Sequence, residues 1–171
     1  KTLPYVDPDR VGYMGMSHGG EMAFKITSEY QGLKAAIASE PANHEFLALT
    51  PDDTAHINPE SGLRDIESML MRETEKVRGR INLGVAQQRI STINTPIFVQ
   101  GRDDDELQGI FRVSYDLLQE ADKETEWKTY QHDVHGFVYV RRNDAGLYAP
   151  DAVQLEGVKD SIAFFDKHMK P

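Results

Sequence analysis

The sequence has 171 residues, 39% of them hydrophobic, which is enough for one domain with a sizeable core. Its 28 acidic against 19 basic residues give a formal net charge of −9, which argues against a nucleic-acid backbone or an anionic membrane surface as partner. Cysteine is absent, so disulfides, thiolate nucleophiles and cysteine-ligated zinc are excluded, and no apolar run approaches the ~20 residues of a membrane span.

No basic-then-apolar leader opens the chain, and the composition leaves the compartment undetermined. Lys1 to Asp9, with two prolines and two aspartates, reads as a surface lead-in. From Arg10 to Gly15 a short apolar run around Val11, Tyr13 and Met14 predicts a buried strand, and Ala23, Ile26 and Tyr30 predict a helix from about His18 to Tyr30. Ser17 stands on the corner between them, in Gly15-Met16-Ser17-His18-Gly19-Gly20, which is the pattern of a nucleophile elbow. Side chains at positions 15 and 19 are expected to collide with so tight a turn, and Gly20 is expected to let the helix lie close to the sheet. The first N–H groups of the helix, that of His18 above all, face whatever carbonyl the serine attacks.

Gly32 is placed at the end of this helix, and Leu33 to Ser39 reads as a second buried strand, parallel to the first through a right-handed crossover. Residues 41–90 break the rhythm with Pro41, Pro51 and Pro59 and then a charged helix capped at Asn58, whose narrow apolar stripe is Ile66, Met69, Leu70 and Val77. This stretch reads as a lid or cap excursion over the face of the domain. A plain helical insertion with no substrate role is the alternative.

Ile97 to Gly101 is the third buried strand, and Arg102-Asp103-Asp104-Asp105-Glu106 follows its end. Leu107, Ile110, Phe111, Leu117, Leu118 and Ala121 mark the next helix, and Trp127 to Tyr130 the fourth strand, which delivers His132 and His135-Gly136-Phe137. Asp151 caps a final helix, whose expected buried stripe is Leu155, Val158, Ile162, Phe165 and Met169. His44, His56 and His168 read as surface or loop residues, and the exposed pair Arg141-Arg142 carries no assigned role.

In open parallel sheets, reactive groups collect beyond the carboxyl ends of the strands. Ser17, the aspartate cluster and His135 each follow a different strand end, in the order nucleophile, acid, base. A serine hydroxyl needs an imidazole to take its proton, and the imidazole needs a carboxylate to hold its tautomer. His135 is preferred to His132 as base because Gly136 suits a sharp loop. For the acid, three consecutive aspartates leave the register open by one residue in either direction.

The elbow Gly15 to Gly20, the Gly-x-x-Asp step from Gly101 to Asp104, His135-Gly136-Phe137 and the approach Val6 to Gly12 together resemble the dienelactone-hydrolase and prolyl-oligopeptidase branch of the α/β-hydrolases. The resemblance implies a three-layer α/β fold with a mostly parallel sheet, of which 1–171 is the C-terminal part. It implies Ser17 as nucleophile, Asp104 as acid and His135 as base, with the His18 N–H in the oxyanion hole and neither metal nor cofactor. Asp103 and Asp105 are then left as a solvated acidic turn. The expected reaction is hydrolysis of a carboxylic ester through an acyl-enzyme, with a prolyl-oligopeptidase-type peptidase and a non-catalytic binding scaffold as alternatives. Because the family carries further strands ahead of the elbow, an N-terminal half from the same precursor or a separate chain is the expected partner.

Overall fold

The computed structural model describes residues 3–49 and 71–170. Four strands, β1 (Gly12–Met16), β2 (Ala35–Ser39), β3 (Ile97–Arg102) and β4 (Thr125–Tyr130), form one parallel sheet in the order β1-β2-β3-β4. Among the described residues five helices connect or follow them: α1 (His18–Glu29), α2 (Thr74–Arg78), α3 (Leu83–Ser91), α4 (Gln108–Glu120) and α5 (Ala152–Met169). Every carboxyl end therefore points the same way, which puts the three loops named above on one rim.

Alternation along the strands explains the layers. Ala36 and Ala38 of β2, with Ile97 and Val99 of β3, join the main core against Phe24 of α1 and Ile110, Phe111 and Leu117 of α4. Their neighbours Ala35, Ile37 and Phe98 face the opposite way, onto Phe164 of α5. Both central strands are covered on both faces, and so read as continuous apolar runs. The final helix starts where expected, with Asp151 and Gln154 forming a reciprocal capping box.

Helix α5 is rotated relative to the expected stripe. Its buried residues are Gly157, Ser161 and Phe164, whereas Leu155 and Ile162 are exposed. Gln100 causes this. Its amide projects from β3 into the interface and must be paired there, so it donates to the Gly157 carbonyl at 3.2 Å and to Ser161 Oγ at 3.0 Å. The apolar stripe lies instead toward β1, where Phe165 and Met169 close on Gly12. His168, expected at the surface, is half-buried, its ring tilted against Phe164 with centroids 4.6 Å apart.

Residues 71–91 are part of the body of the domain. Met71, Val77, Ala86 and Ile90 are buried in the main core, and the Met71 N–H donates to the Glu106 carbonyl at 2.7 Å. The expected cap at Asn58, and with it Ile66, Met69, Leu70 and His56, lies outside the described residues. Among the described residues no helix is long and apolar enough to cross a membrane.

Candidate active site

Ser17 occupies a sharp strand-to-helix corner with φ 54° and ψ −118°, a backbone conformation that L-residues avoid. The loop after β2 holds it there: the Ser17 N–H donates to the Ser39 carbonyl at 2.9 Å, and the Ser17 carbonyl accepts the Ala42 N–H at 3.1 Å. A Cβ at Gly15 would run into the Gly19 carbonyl, as the turn requires. Gly19 differs from expectation, since a Cβ there would meet nothing closer than the Tyr13 hydroxyl at 3.9 Å. The close approach belongs to Gly20, whose missing Cβ would stand 2.8 Å from Pro41 Cα. His18 opens α1, so its N–H has no acceptor within the helix. Its ring, with the side chain largely exposed, lies 3.3 Å from Glu21.

His135 sits on the loop that leaves β4. Gly136 behind it adopts φ +81° and packs against the Met16 side chain, which leaves no room for a Cβ. Phe137 is fully buried against Tyr130, their centroids 4.8 Å apart, and anchors the same loop. His135 Nδ1 lies 2.8 Å from Oδ2 of Asp105. The carboxylate behind the ring is therefore Asp105, and not Asp104, which lines the cleft beside it.

The register moves by one because the chain turns immediately after β3, with the Asp105 N–H returning to the Arg102 carbonyl at 3.2 Å. That turn directs residue 105 inward, where it is 2% exposed, and leaves Asp103 and Asp104 outside. Asp105 Oδ1 accepts the Leu107 N–H at 2.8 Å, and Oδ2 also takes the Arg102 guanidinium at 2.9 Å. Burial alone would raise this carboxyl. The His135 hydrogen bond, the Leu107 N–H and the Arg102 charge outweigh it and hold Asp105 below the ordinary aspartate value. In return the Asp105 hydrogen bond, against the opposing effect of burial, lifts His135 above the ordinary imidazole value.

His132 is engaged elsewhere. Its Nδ1 accepts the Val134 N–H at 3.0 Å and its Nε2 donates to Asp151 at 3.0 Å, which ties the His135 loop to the start of α5. Arg102 supports the same loop by donating to the His132 carbonyl at 3.1 Å. Arg142 stacks on Tyr148, 5.1 Å from its ring centroid.

Ser17, His18, Asp105 and His135 share one cleft of about 610 Å³, whose walls include His44 and Arg72 from the residues that follow β2. His44 thus belongs to the cleft. Its Nδ1 donates to the Ala42 carbonyl at 3.0 Å, and burial lowers its basicity below the ordinary imidazole value. Sequence reasoning also missed Glu40, a fully buried carboxylate at the end of β2. The only hint was its place at a strand's carboxyl end, just before Pro41.

Among the described residues Glu40, Asp105 and His135 form the one group with three metal-ligand atoms, all within 4.8 Å of one another. Arg102 already reaches both carboxylates, at 3.6 and 2.9 Å, so a cation of the protein's own offsets part of their charge.

A model of the prolyl oligopeptidase family matches residues 1–171. No curated protein sequence matches the chain. Among solved structures it resembles the Pyrococcus horikoshii acylaminoacyl peptidase, at 16% identity and TM-score 0.63, over 98% of this chain and 25% of that one. It also resembles Porphyromonas gingivalis dipeptidyl peptidase 4, at 18% identity and TM-score 0.60, over 98% and 21%. A candidate dienelactone hydrolase of Klebsiella pneumoniae subsp. pneumoniae aligns at 16% identity and TM-score 0.55, over 94% and 53%. The chain thus spans about a quarter of the length of the acylaminoacyl peptidase it resembles. With a match along its whole length and a parallel sheet that carries a serine elbow, the chain belongs to the prolyl oligopeptidase family of serine hydrolases, and its fold is that of the α/β-hydrolases.

Proposed function

We propose that this chain carries the catalytic groups of a serine peptidase that works through an acyl-enzyme on Ser17. Asp105 fixes the proton on His135 Nδ1, which leaves Nε2 to take the proton of the Ser17 hydroxyl and then pass it to the leaving amine. The His18 N–H, at the positive end of α1, supports the oxyanion. The observation that carries this reading is the 2.8 Å bond between His135 and Asp105 in the same cleft as a strained serine. Backbone strain of this kind clusters at active sites, where it presents a side chain to a ligand.

Ester hydrolysis is the second reading, favoured by the likeness to the candidate dienelactone hydrolase. Both bonds pass through one tetrahedral intermediate and differ in leaving group. Turnover of a p-nitrophenyl ester, an N-acylated amino-acid p-nitroanilide and a proline-containing peptide p-nitroanilide decides between them. A peptidase cleaves at least one anilide with Ser17 intact and not with Ser17→Ala, whereas an esterase turns over only the ester. An inert scaffold turns over none.

We propose also that further polypeptide covers the outer edge of β1. No strand pairs with that edge among the described residues, and Met14 of β1 is exposed. A second oxyanion donor would come from that polypeptide, so residues 1–171 by themselves should turn over slowly. Sedimentation and intact mass of the active material test this, and full activity at 19.3 kDa would contradict it.

A further inference from the structure

A second carboxylate stands behind the imidazole, and the serine, histidine and aspartate chemistry does not use it. Glu40 follows β2 in a left-handed conformation, φ 47°, held by its own N–H donating to the Gln100 carbonyl at 2.7 Å. That conformation turns its side chain into the rim, where it is fully buried. Oε2 accepts the Gly136 N–H at 2.6 Å, and Oε1 lies 3.7 Å from His135 Nδ1 and 3.6 Å from Arg102 Nε. Among the described residues Oε1 has no hydrogen-bond partner.

An ionisable group so placed is costly, and if the only task were to receive the Gly136 N–H, a neutral glutamine would suffice. What the unpaired oxygen faces explains the charge. We propose that Glu40 is a positioning residue for the base: it fixes the Gly136 turn with one oxygen and, with the other, joins Asp105 in a two-carboxylate seat for the imidazolium of His135. This rests on the reading of His135 as the base of Ser17.

Charge counting supports it. Three ionisable groups face Glu40: His135 from the loop after β4, Asp105 from the loop after β3, and Arg102 at the end of β3. The adjoining pair Met16 and Ser39 brings no charge from β1 or β2. With both carboxylates ionised and Arg102 positive, the cluster has a net negative charge while His135 is neutral. It becomes balanced when His135 accepts the serine proton, so the buried charges favour the state that forms during reaction over the resting one. Burial outweighs the pull of His135, the Gly136 N–H and Arg102 and pushes the Glu40 carboxyl up to about 7, so the fully charged seat forms as pH rises through that value.

Glu40→Gln tests the assignment, because the amide oxygen still receives the Gly136 N–H while the charge is gone. On the intact, histidine-labelled protein, the ring titration of His135 is followed by NMR, alongside the pH dependence of fluorophosphonate labelling of Ser17. The expected result is that His135 in Glu40→Gln titrates at lower pH than in wild type, and that the acid limb of the labelling profile moves with it. An unmoved His135 titration in a folded variant reduces Glu40 to a structural brace and overturns the proposal.

The reciprocal measurement does not depend on Glu40→Gln folding. In His135→Gln, a change at a half-exposed position, the carbon-13 shift of the Glu40 carboxyl should titrate at higher pH than in wild type, and an unchanged titration contradicts the proposal. If wild-type Ser17 is not labelled at all, the hydrolase reading fails, while the two titrations still decide whether Glu40 acts on the ring.

Discussion

Asp105 and His135 are thirty positions apart in the chain and 2.8 Å apart in space, and they meet only because β3 and β4 are adjacent and parallel, with register Gly101 to Thr129 and Arg102 to Tyr130. Both loops leave the same rim, and Arg102, at the end of β3, reaches Asp105 in one and the His132 carbonyl in the other.

The neighbouring aspartates should therefore separate cleanly on substitution. Asp105→Asn leaves His135 with the wrong tautomer, or none fixed, and is expected to lower kcat by ~10⁴, while Asp104→Asn stays within about tenfold of wild type. Steady-state rates for the two variants check this, and equal losses would show that the hydrogen-bonded carboxylate is not the working acid.

The acid limb of the rate profile follows from His135. Its Asp105 hydrogen bond raises it above 6.5, and the base works only when neutral, so activity falls as pH drops through that raised value. The half-maximal point of kcat/KM on the acid side should thus lie above 6.5, the ordinary imidazole value. The same group contributes stability of the opposite sense, present below its unfolded value and lost as pH rises through the folded one. A limb midpoint below 6.5 would contradict the pairing.

The glycines of the elbow are not equivalent. Gly15→Ala must displace backbone at the Gly19 carbonyl and should cost ~1–3 kcal/mol or more, whereas Gly19→Ala enters open space in the first turn of α1 and should be neutral or gain up to ~1 kcal/mol. Denaturant midpoints of the two variants measure the contrast, which disappears if the corner is not held as described.

His132 holds the loop and does not act as the base. His132→Ala removes the bonds to Val134 and Asp151 and is expected to lower stability by about 1 kcal/mol while leaving Ser17 reactive. His135→Ala should instead act on reactivity, slowing labelling by at least ~10³-fold. Paired melting and labelling runs distinguish them.

Much of this site can be read along the chain, because strand ends, an elbow and a histidine before glycine are local patterns. Ser17, His18 and His135 share the cleft that those patterns predict, whereas the acid depended on a turn of three residues after Arg102, and no one-dimensional spacing tells Asp104 from Asp105. Glu40 was hidden for a different reason. Its surroundings come from β3, the Asp105 turn and the His135 loop, and beyond its place at a strand's carboxyl end nothing in Ser39-Glu40-Pro41 sets it apart from an ordinary surface acid. The rotated face of α5 has a similar origin, since Gln100, a polar residue inside an apolar strand, required glycine and serine opposite it and turned the oily stripe toward β1.

The central claim is that the Ser17 hydroxyl is made nucleophilic by His135 and Asp105. Peptide mapping by mass spectrometry after exposure of the intact protein to a fluorophosphonate tests it most directly. The adduct should sit on the peptide containing Ser17, form at least ~10³-fold more slowly in His135→Ala and Asp105→Asn, and be absent in Ser17→Ala. Labelling at another serine, or at Ser17 with a rate indifferent to residues 105 and 135, would contradict the account.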